Sequence, residues 1–253
     1  MKNAIFNSEI FKITHDQGVN ILTLVNGIVN IVVTIGWVIF VKSGAMQGSA
    51  SNAFSISILV LLPLLTIAGL LTSAVVFYLV PFRSISVDYG NSLLQLSIAS
   101  GTSRTRYYFS KLTVTALRMM VTFVFLITIP TIIILASTDG SVEWLTNIIN
   151  SLGIWEIVFV PFIGYLSLIA LIYLAVVLMK GSLLSILVAI GINFGASLIM
   201  TPIQIIIQTS IYNSTVQTSV QAGTLLWWAI LQQLITLTAY TVIGWQVFKH
   251  QDL

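Results

Sequence analysis

Residues 112–136 read LTVTALRMMVTFVFLITIPTIIILA, twenty-five positions with a single charge at Arg118. A helix that crosses a bilayer needs about 20 mainly apolar residues at about 1.5 Å of rise each, and this stretch supplies them. Five further windows do the same: Ile21 to Val41, Phe54 to Val80, Ile154 to Met179, Leu183 to Ile207 and Thr224 to Phe248. The runs are continuous and far exceed the roughly 9–11 residues of a barrel strand, so barrel-type alternation is excluded. The sequence therefore predicts an all-α polytopic membrane protein with six transmembrane helices in one membrane domain over residues 1–253.

Composition agrees. Of 253 residues 57% are hydrophobic and only 7% charged, and mean hydropathy is +1.04. A soluble domain carries about a quarter of its residues as charges, and a disordered chain needs low hydrophobicity with high net charge. Both classes are excluded. The absence of cysteine removes disulfide and thiolate-metal scaffolds. A net charge of +3 without a Lys/Arg run makes no case for a nucleic-acid partner.

The few cations set an orientation, because cytoplasmic loops hold Lys and Arg in excess. Lys2 and Lys12 precede the first span, Arg83, Arg104, Arg106 and Lys111 lie between the second and third, Lys180 joins the fourth to the fifth, and Lys249 follows the sixth. The alternate loops hold only Lys42, and Asp139, Glu143 and Glu156 mark one of them. Both termini are expected to be cytoplasmic, with outer loops near residues 42–53, 137–153 and 208–223. Glu9 and Asp16 precede any long apolar run and no small-residue motif follows the first one, so no cleaved signal peptide is expected. At about 100° per residue, Phe6, Ile10 and Ile13 share one face and Ser8, Lys12 and His15 the other. Residues 1–18 are predicted to form an interfacial amphipathic helix in the headgroup layer; a frayed terminus is the alternative.

The spans contain almost nothing that titrates, whereas proton-coupled carriers place Asp, Glu or His inside the bundle. Arg118 lies about 10 Å past Lys111 along a helix, close enough to the inner face to snorkel; a substrate contact is the other reading. Both histidines, His15 and His250, sit in the tails, so an intramembrane serine has no base in reach and no His or Cys cluster can hold a metal or haem. No catalytic residue and no metal site are expected. The chain has no G-x-x-x-x-G-K-[ST] loop and so binds no ATP by that device. Neutral polar residues instead form seams at helical spacing. Ser182, Asn193, Ser197, Thr201, Gln204 and Gln208 align on the fifth span, Thr23, Asn26, Asn30 and Thr34 on the first, and Gln232, Thr236 and Tyr240 on the sixth. Such residues either bond between helices or face a substrate path, for which Asn26, Asn30, Asn193, Ser197, Gln204 and Gln208 are the candidates.

The longest cytoplasmic connection is PFRSISVDYGNSLLQLSIASGTSRTRYYFSKL, from Pro81 to Leu112. Ser92 to Ala99 is a short apolar helix candidate closed by Ser100-Gly101. Leu93, Leu94, Leu96 and Ile98 must be covered by a partner surface or by the inner ends of the spans. With Asp88, Gly90 and Ser92, Leu93 and Leu94, Ser103-Arg104, and Lys111 opening the third span, this connection resembles that of type-2 ATP-binding-cassette (ABC) permeases. Glu9-Ile10-Phe11-Lys12 is similar to the start of that family's connecting helix, and Phe248-Lys249-His250-Gln251-Asp252-Leu253 to its close. The family's usual Gly-Thr pair is Asn91-Ser92 here, and no Pro precedes Ser-Arg.

The resemblance implies a half-size membrane subunit of a bacterial cytoplasmic membrane. It would pair with itself or a sister permease and dock two copies of a cytoplasmic ATPase that holds the ATP and Mg, while this chain binds no cofactor of its own. Residues 82–111 would be the coupling segment, with 84–101 as the coupling helix inserted into a groove of the ATPase and with Asp88, Leu93, Leu94, Ile98, Arg104 and Lys111 serving that contact. Chain length and short outer loops look closest to lantibiotic-immunity and cytolytic-peptide exporters, whose amphipathic substrates arrive from the bilayer. A permease of the same fold for a lipid-linked glycan or small antibiotic, a secondary carrier and a passive immunity protein are the alternatives.

Overall fold

The computed structural model describes residues 4–42, 53–91, 93–137, 146, 159–213 and 218–251. Among these there are eight helices and no strand: α1 (Ala4–His15), α2 (Gln17–Lys42), α3 (Ala53–Gly90), α4 (Leu93–Ala99), α5 (Arg104–Ser137), α6 (Val160–Leu178), α7 (Leu184–Asn213) and α8 (Thr218–His250). An apolar chain in lipid must satisfy every backbone N–H and C=O internally, which a helix does within one segment. Five of the helices are long and apolar enough to cross a membrane, over Gln17–Phe40, Thr66–Gly90, Arg104–Ser137, Val160–Leu178 and Leu184–Ile203. The sixth expected span falls on α8, which is 33 residues long. Gln232, Gln233, Thr236, Thr238 and Tyr240 dilute the described part of α8, and it is not among those five.

Two boundaries differ from the sequence reading. The connection expected to open at residue 82 begins as helix, because α3 continues through Pro81 to Gly90. Phe82, Ile85 and Asp88 are all buried, and their spacing of three carries one inward face past the proline. The outer loop expected over 208–223 is mostly helix, since α7 reaches Asn213 and α8 starts at Thr218. The outer loops near 42–53 and 137–153 lie almost wholly outside the described residues.

The chain divides into two units: residues 1–80 with 114–148, and residues 81–113 with 149–253. In the first, α1 ends at His15 and Asp16 caps α2, its Oδ1 accepting the N–H groups of Gly18 and Val19 at 3.0 and 3.2 Å. The buried side of α1 carries a charge. Ile13 is buried, but so is Glu9, which pairs with Lys12 at 3.0 Å, while Ile10 and Phe11 are exposed. The inward stripe follows Glu9 and Ile13 at i, i+4, because the ion pair lets a carboxylate stay inside. Ile10, expected beside Ile13, faces outward with Phe11, and Phe6 is half-buried.

Further along α2, Asn26 Oδ1 accepts from Asn30 Nδ2 at 2.9 Å and from Ser73 Oγ on α3 at 3.1 Å. Gly69 lets the same two helices approach, for a Cβ there would lie 3.2 Å from Val33. The first-span seam is thus at Asn26 a helix-packing contact rather than a path wall.

In the second unit α6 is the central helix: 67% of its most apolar window is buried, against 11–28% for the other four spans. A helix apolar all round has no solvent face to present, and α6 packs against α7 and α8. Its end is a Schellman turn, Gly181 N–H bonding Val176 O at 2.9 Å and Lys180 N–H bonding Val177 O at 3.3 Å. Gly181 is required there: its φ is +80° and a Cβ would sit 2.7 Å from that of Tyr89. Lipid tails give helices no hydrophobic reason to associate, so close packing and interhelical hydrogen bonds hold this unit together.

Candidate functional site

The connection between α3 and α5 is built around a buried ion pair. Asp88 and Lys111 are only 2% and 3% exposed and bond directly to each other. The Tyr107 hydroxyl donates to the same carboxylate, and Lys111 Nζ also donates to Ser84 O. Tyr173, on α6, bonds through its hydroxyl to Lys111 O at 3.1 Å and lies 2.9 Å from Ser84 Oγ. Every charge in this cluster has a partner, the condition under which buried ions are tolerated. The ends of α3, α5 and α6 are thereby locked in one register.

A second set of bonds stitches in the end of α8. Arg104 Nη1 donates to Lys249 O at 2.9 Å and Gln251 O at 2.7 Å, carbonyls that the helix leaves without partners. Tyr89 donates to Gln251 Oε1 at 2.8 Å, and Gln251 Nε2 to Val177 O at 2.9 Å. Trp245 Nε1 donates to Thr105 at 3.1 Å. Gly244 admits the Tyr108 ring, since a Cβ there would lie 2.5 Å from the Tyr108 hydroxyl oxygen.

Set on this frame is α4, seven residues long and ended by Gly101 at φ +91°, whose N–H bonds Ile98 O at 3.0 Å. The short helix and its breaker stand where the sequence puts them, but the residues assigned to partner contact do not all face outward. Leu94 is 1% exposed and packs inside the chain, Leu93 and Ile98 are half-buried, and Leu96 is 70% exposed. Asp88 and Lys111 are likewise turned inward, and Arg104 is spent on the end of α8. These residues position the connector. Leu96 is its exposed large apolar side chain, with Gln95 and Ala99 exposed beside it.

The other feature of this unit is a cavity of about 290 Å³ between α6, α7 and α8. It brings together two seams that the sequence presents separately, Asn193 and Ser197 on α7 with Gln232, Thr236 and Tyr240 on α8. Ser167, Gln233 and Gly164 join them. Ser167 Oγ donates to Gln233 O at 3.0 Å, and Gly164 faces the Gln233 amide. A glycine and a serine three apart in an otherwise apolar span were the available signal for this close approach. The described lining is neutral throughout, so the cavity offers hydrogen bonds and no proton relay. Thr201 and Ser182 do not line it, and the side chains of Gln204 and Gln208 lie outside the described residues. No known protein family matches the chain, and no curated protein or solved structure matches it either.

Proposed function

We propose that this chain is the membrane-spanning subunit of an ABC exporter that moves amphipathic or hydrophobic substrates, antimicrobial or cytolytic peptides foremost, with ATP hydrolysed by a separate subunit. In this reading α8 is the sixth span, both termini are cytoplasmic, and α4 is the coupling helix, seated on one of two ATPase copies that hold ATP and Mg. A second permease copy or a sister permease completes the bundle. The observation that carries the reading is α4 itself: two helical turns that expose Leu96 to 70% while a buried ion pair fixes the helices on either side. A push on a surface so mounted moves α3 and α5 instead of bending a loop. The neutral cavity between α6, α7 and α8 suits substrates drawn from the bilayer and gives a proton-coupled carrier nothing to titrate.

Purification of the tagged full-length chain from its native membrane tests this. A stoichiometric ATPase should co-elute with ATP-hydrolysing activity, and elution of the chain without a nucleotide-binding partner would favour a passive immunity protein or a secondary carrier. Export of a lipid-linked glycan or small antibiotic by the same fold would leave the ATPase in place and differ only in the transported molecule.

Orientation has its own check. Single cysteines at Ser141 and Ser214 should react with an impermeant thiol reagent added to intact cells, and one at Ser103 should not. Labelling at Ser103 would reverse the topology and take α4 away from the cytoplasm.

A further inference from the structure

The first unit contains a cavity of about 250 Å³ between α2 and α5, lined by Gly27 and Asn30 on one side and by Arg118, Thr122, Phe125 and Ile129 on the other. Arg118 Nη2 donates to Asn20 Oδ1 at 2.6 Å, and Asn20 is itself held by a 2.8 Å bond from its Nδ2 to Thr14 O. The Arg118 Nε is buried and has no partner. No carboxylate lines the cavity, and none pairs with Arg118 among the described residues. The two described acids of this unit are engaged elsewhere, Glu9 with Lys12 and Asp16 at the start of α2.

A cation inside a span without a counter-charge is costly, and such residues mark binding sites or ion pathways. Snorkelling explains a guanidinium that reaches water. It does not explain one whose Nε is shut off from solvent and whose Nη2 alone is held by an asparagine at the edge of a cavity. Apart from Thr23, Thr122 and Asn30 the remaining wall is apolar, and along α5 it runs from Val121 through Phe125 to Ile129. Ile129 lies eleven residues beyond Arg118, about 16 Å at helical rise. Phe125 and Ile129 are 60% and 36% exposed, so this track is open sideways to the surrounding bilayer. A polar head and a lateral apolar track of this length match one molecule in shape and charge.

We propose that this cavity binds one anionic phospholipid. Its phosphate takes the Arg118 fork, a geometry that guanidinium groups satisfy with paired charge-assisted hydrogen bonds. Thr23 and Thr122 border the headgroup, and one acyl chain lies along Phe125 and Ile129. Basic pockets between spans recognise anionic headgroups by the same electrostatics. The apolar wall distinguishes a lipid from free phosphate, which would leave the track unfilled. The proposal needs only the membrane character of the chain and stands apart from its reading as an exporter.

Native mass spectrometry of the full-length protein in detergent, supplied with phosphatidylglycerol or phosphatidylcholine, tests it. The wild type should retain one phosphatidylglycerol per chain at least about tenfold more than phosphatidylcholine. Arg118→Gln should abolish that preference, and Arg118→Lys, a point charge without the fork, should keep part of it. Gly27→Leu gives an independent arm should Arg118→Gln fail to assemble. A Cβ at Gly27 meets nothing within 4 Å, so the larger side chain fills the cavity with the charge intact and should also eliminate retention. Inorganic phosphate should not displace the lipid. Equal retention of the two lipids by the wild type, unchanged retention in Gly27→Leu or Arg118→Gln, or displacement by inorganic phosphate would each overturn the assignment.

Discussion

Replacing Asp88 with leucine is expected to lower the yield of assembled protein and its thermal midpoint in detergent, by the equivalent of about 3–5 kcal/mol. The change leaves the Lys111 ammonium buried, at 3% exposure, without the carboxylate that neutralises it. It also removes the carboxylate that accepts from the Tyr107 hydroxyl. The double variant Asp88→Leu with Lys111→Met should recover most of the loss, because a buried pair exchanged for apolar groups of similar volume is often neutral. That recovery separates pairing from mere bulk at position 88, since only a coupled pair gives a large non-additive term in the cycle. A single variant that melts with the wild type would mean that the ion pair does not hold the connector.

The pair also marks where sequence reading stops. Asp88 and Lys111 are far apart in the chain and sit in a stretch rich in polar residues, so each reads as an exposed group at the membrane edge. They meet because α4 and its Gly101 turn bring the start of α5 back beside the end of α3, and that return is a tertiary fact. The short helix itself was legible from a Leu-rich run ahead of Ser100-Gly101, but its inward face was not. Leu93, Leu94, Leu96 and Ile98 spread over more than half of the circumference of a two-turn helix, too wide an arc for periodicity to choose the inward side; packing buries Leu94 and leaves Leu96 out. On α1, hydrophobicity alone does not show that Glu9, neutralised by Lys12, shares the buried side with Ile13.

The seams show the complementary case. The sequence could align Asn193 with Ser197 and Gln232 with Thr236 and Tyr240, because helical spacing alone does that. It could not tell that these two seams share one cavity while the seam at Asn26 closes on Ser73. Which neighbour a seam meets depends on how the helices pack, and an apolar span with little amphipathic contrast does not encode that in its pattern.

Leu96→Asp is expected to abolish ATPase association and transport while leaving the membrane level of the protein unchanged. Leu96 is 70% exposed, so a charge there meets water in the isolated chain and costs it nothing in folding. Docked in a partner's groove, the leucine side chain contributes about 1.5–3 kcal/mol by burial, which is about 10- to 100-fold in affinity. Aspartate loses that term and adds the desolvation of an unpaired carboxylate, so binding should fall by more than about 100-fold. Leu94→Asp is the control with the opposite signature: at 1% exposure its charge would be buried inside the chain, and the amount of assembled protein should fall first. Separation of the two variants, one losing its partner and the other losing its fold, is what a coupling helix mounted on a buried frame requires. Full ATPase association in Leu96→Asp would remove α4 from the interface and bring the passive-protein and secondary-carrier readings forward.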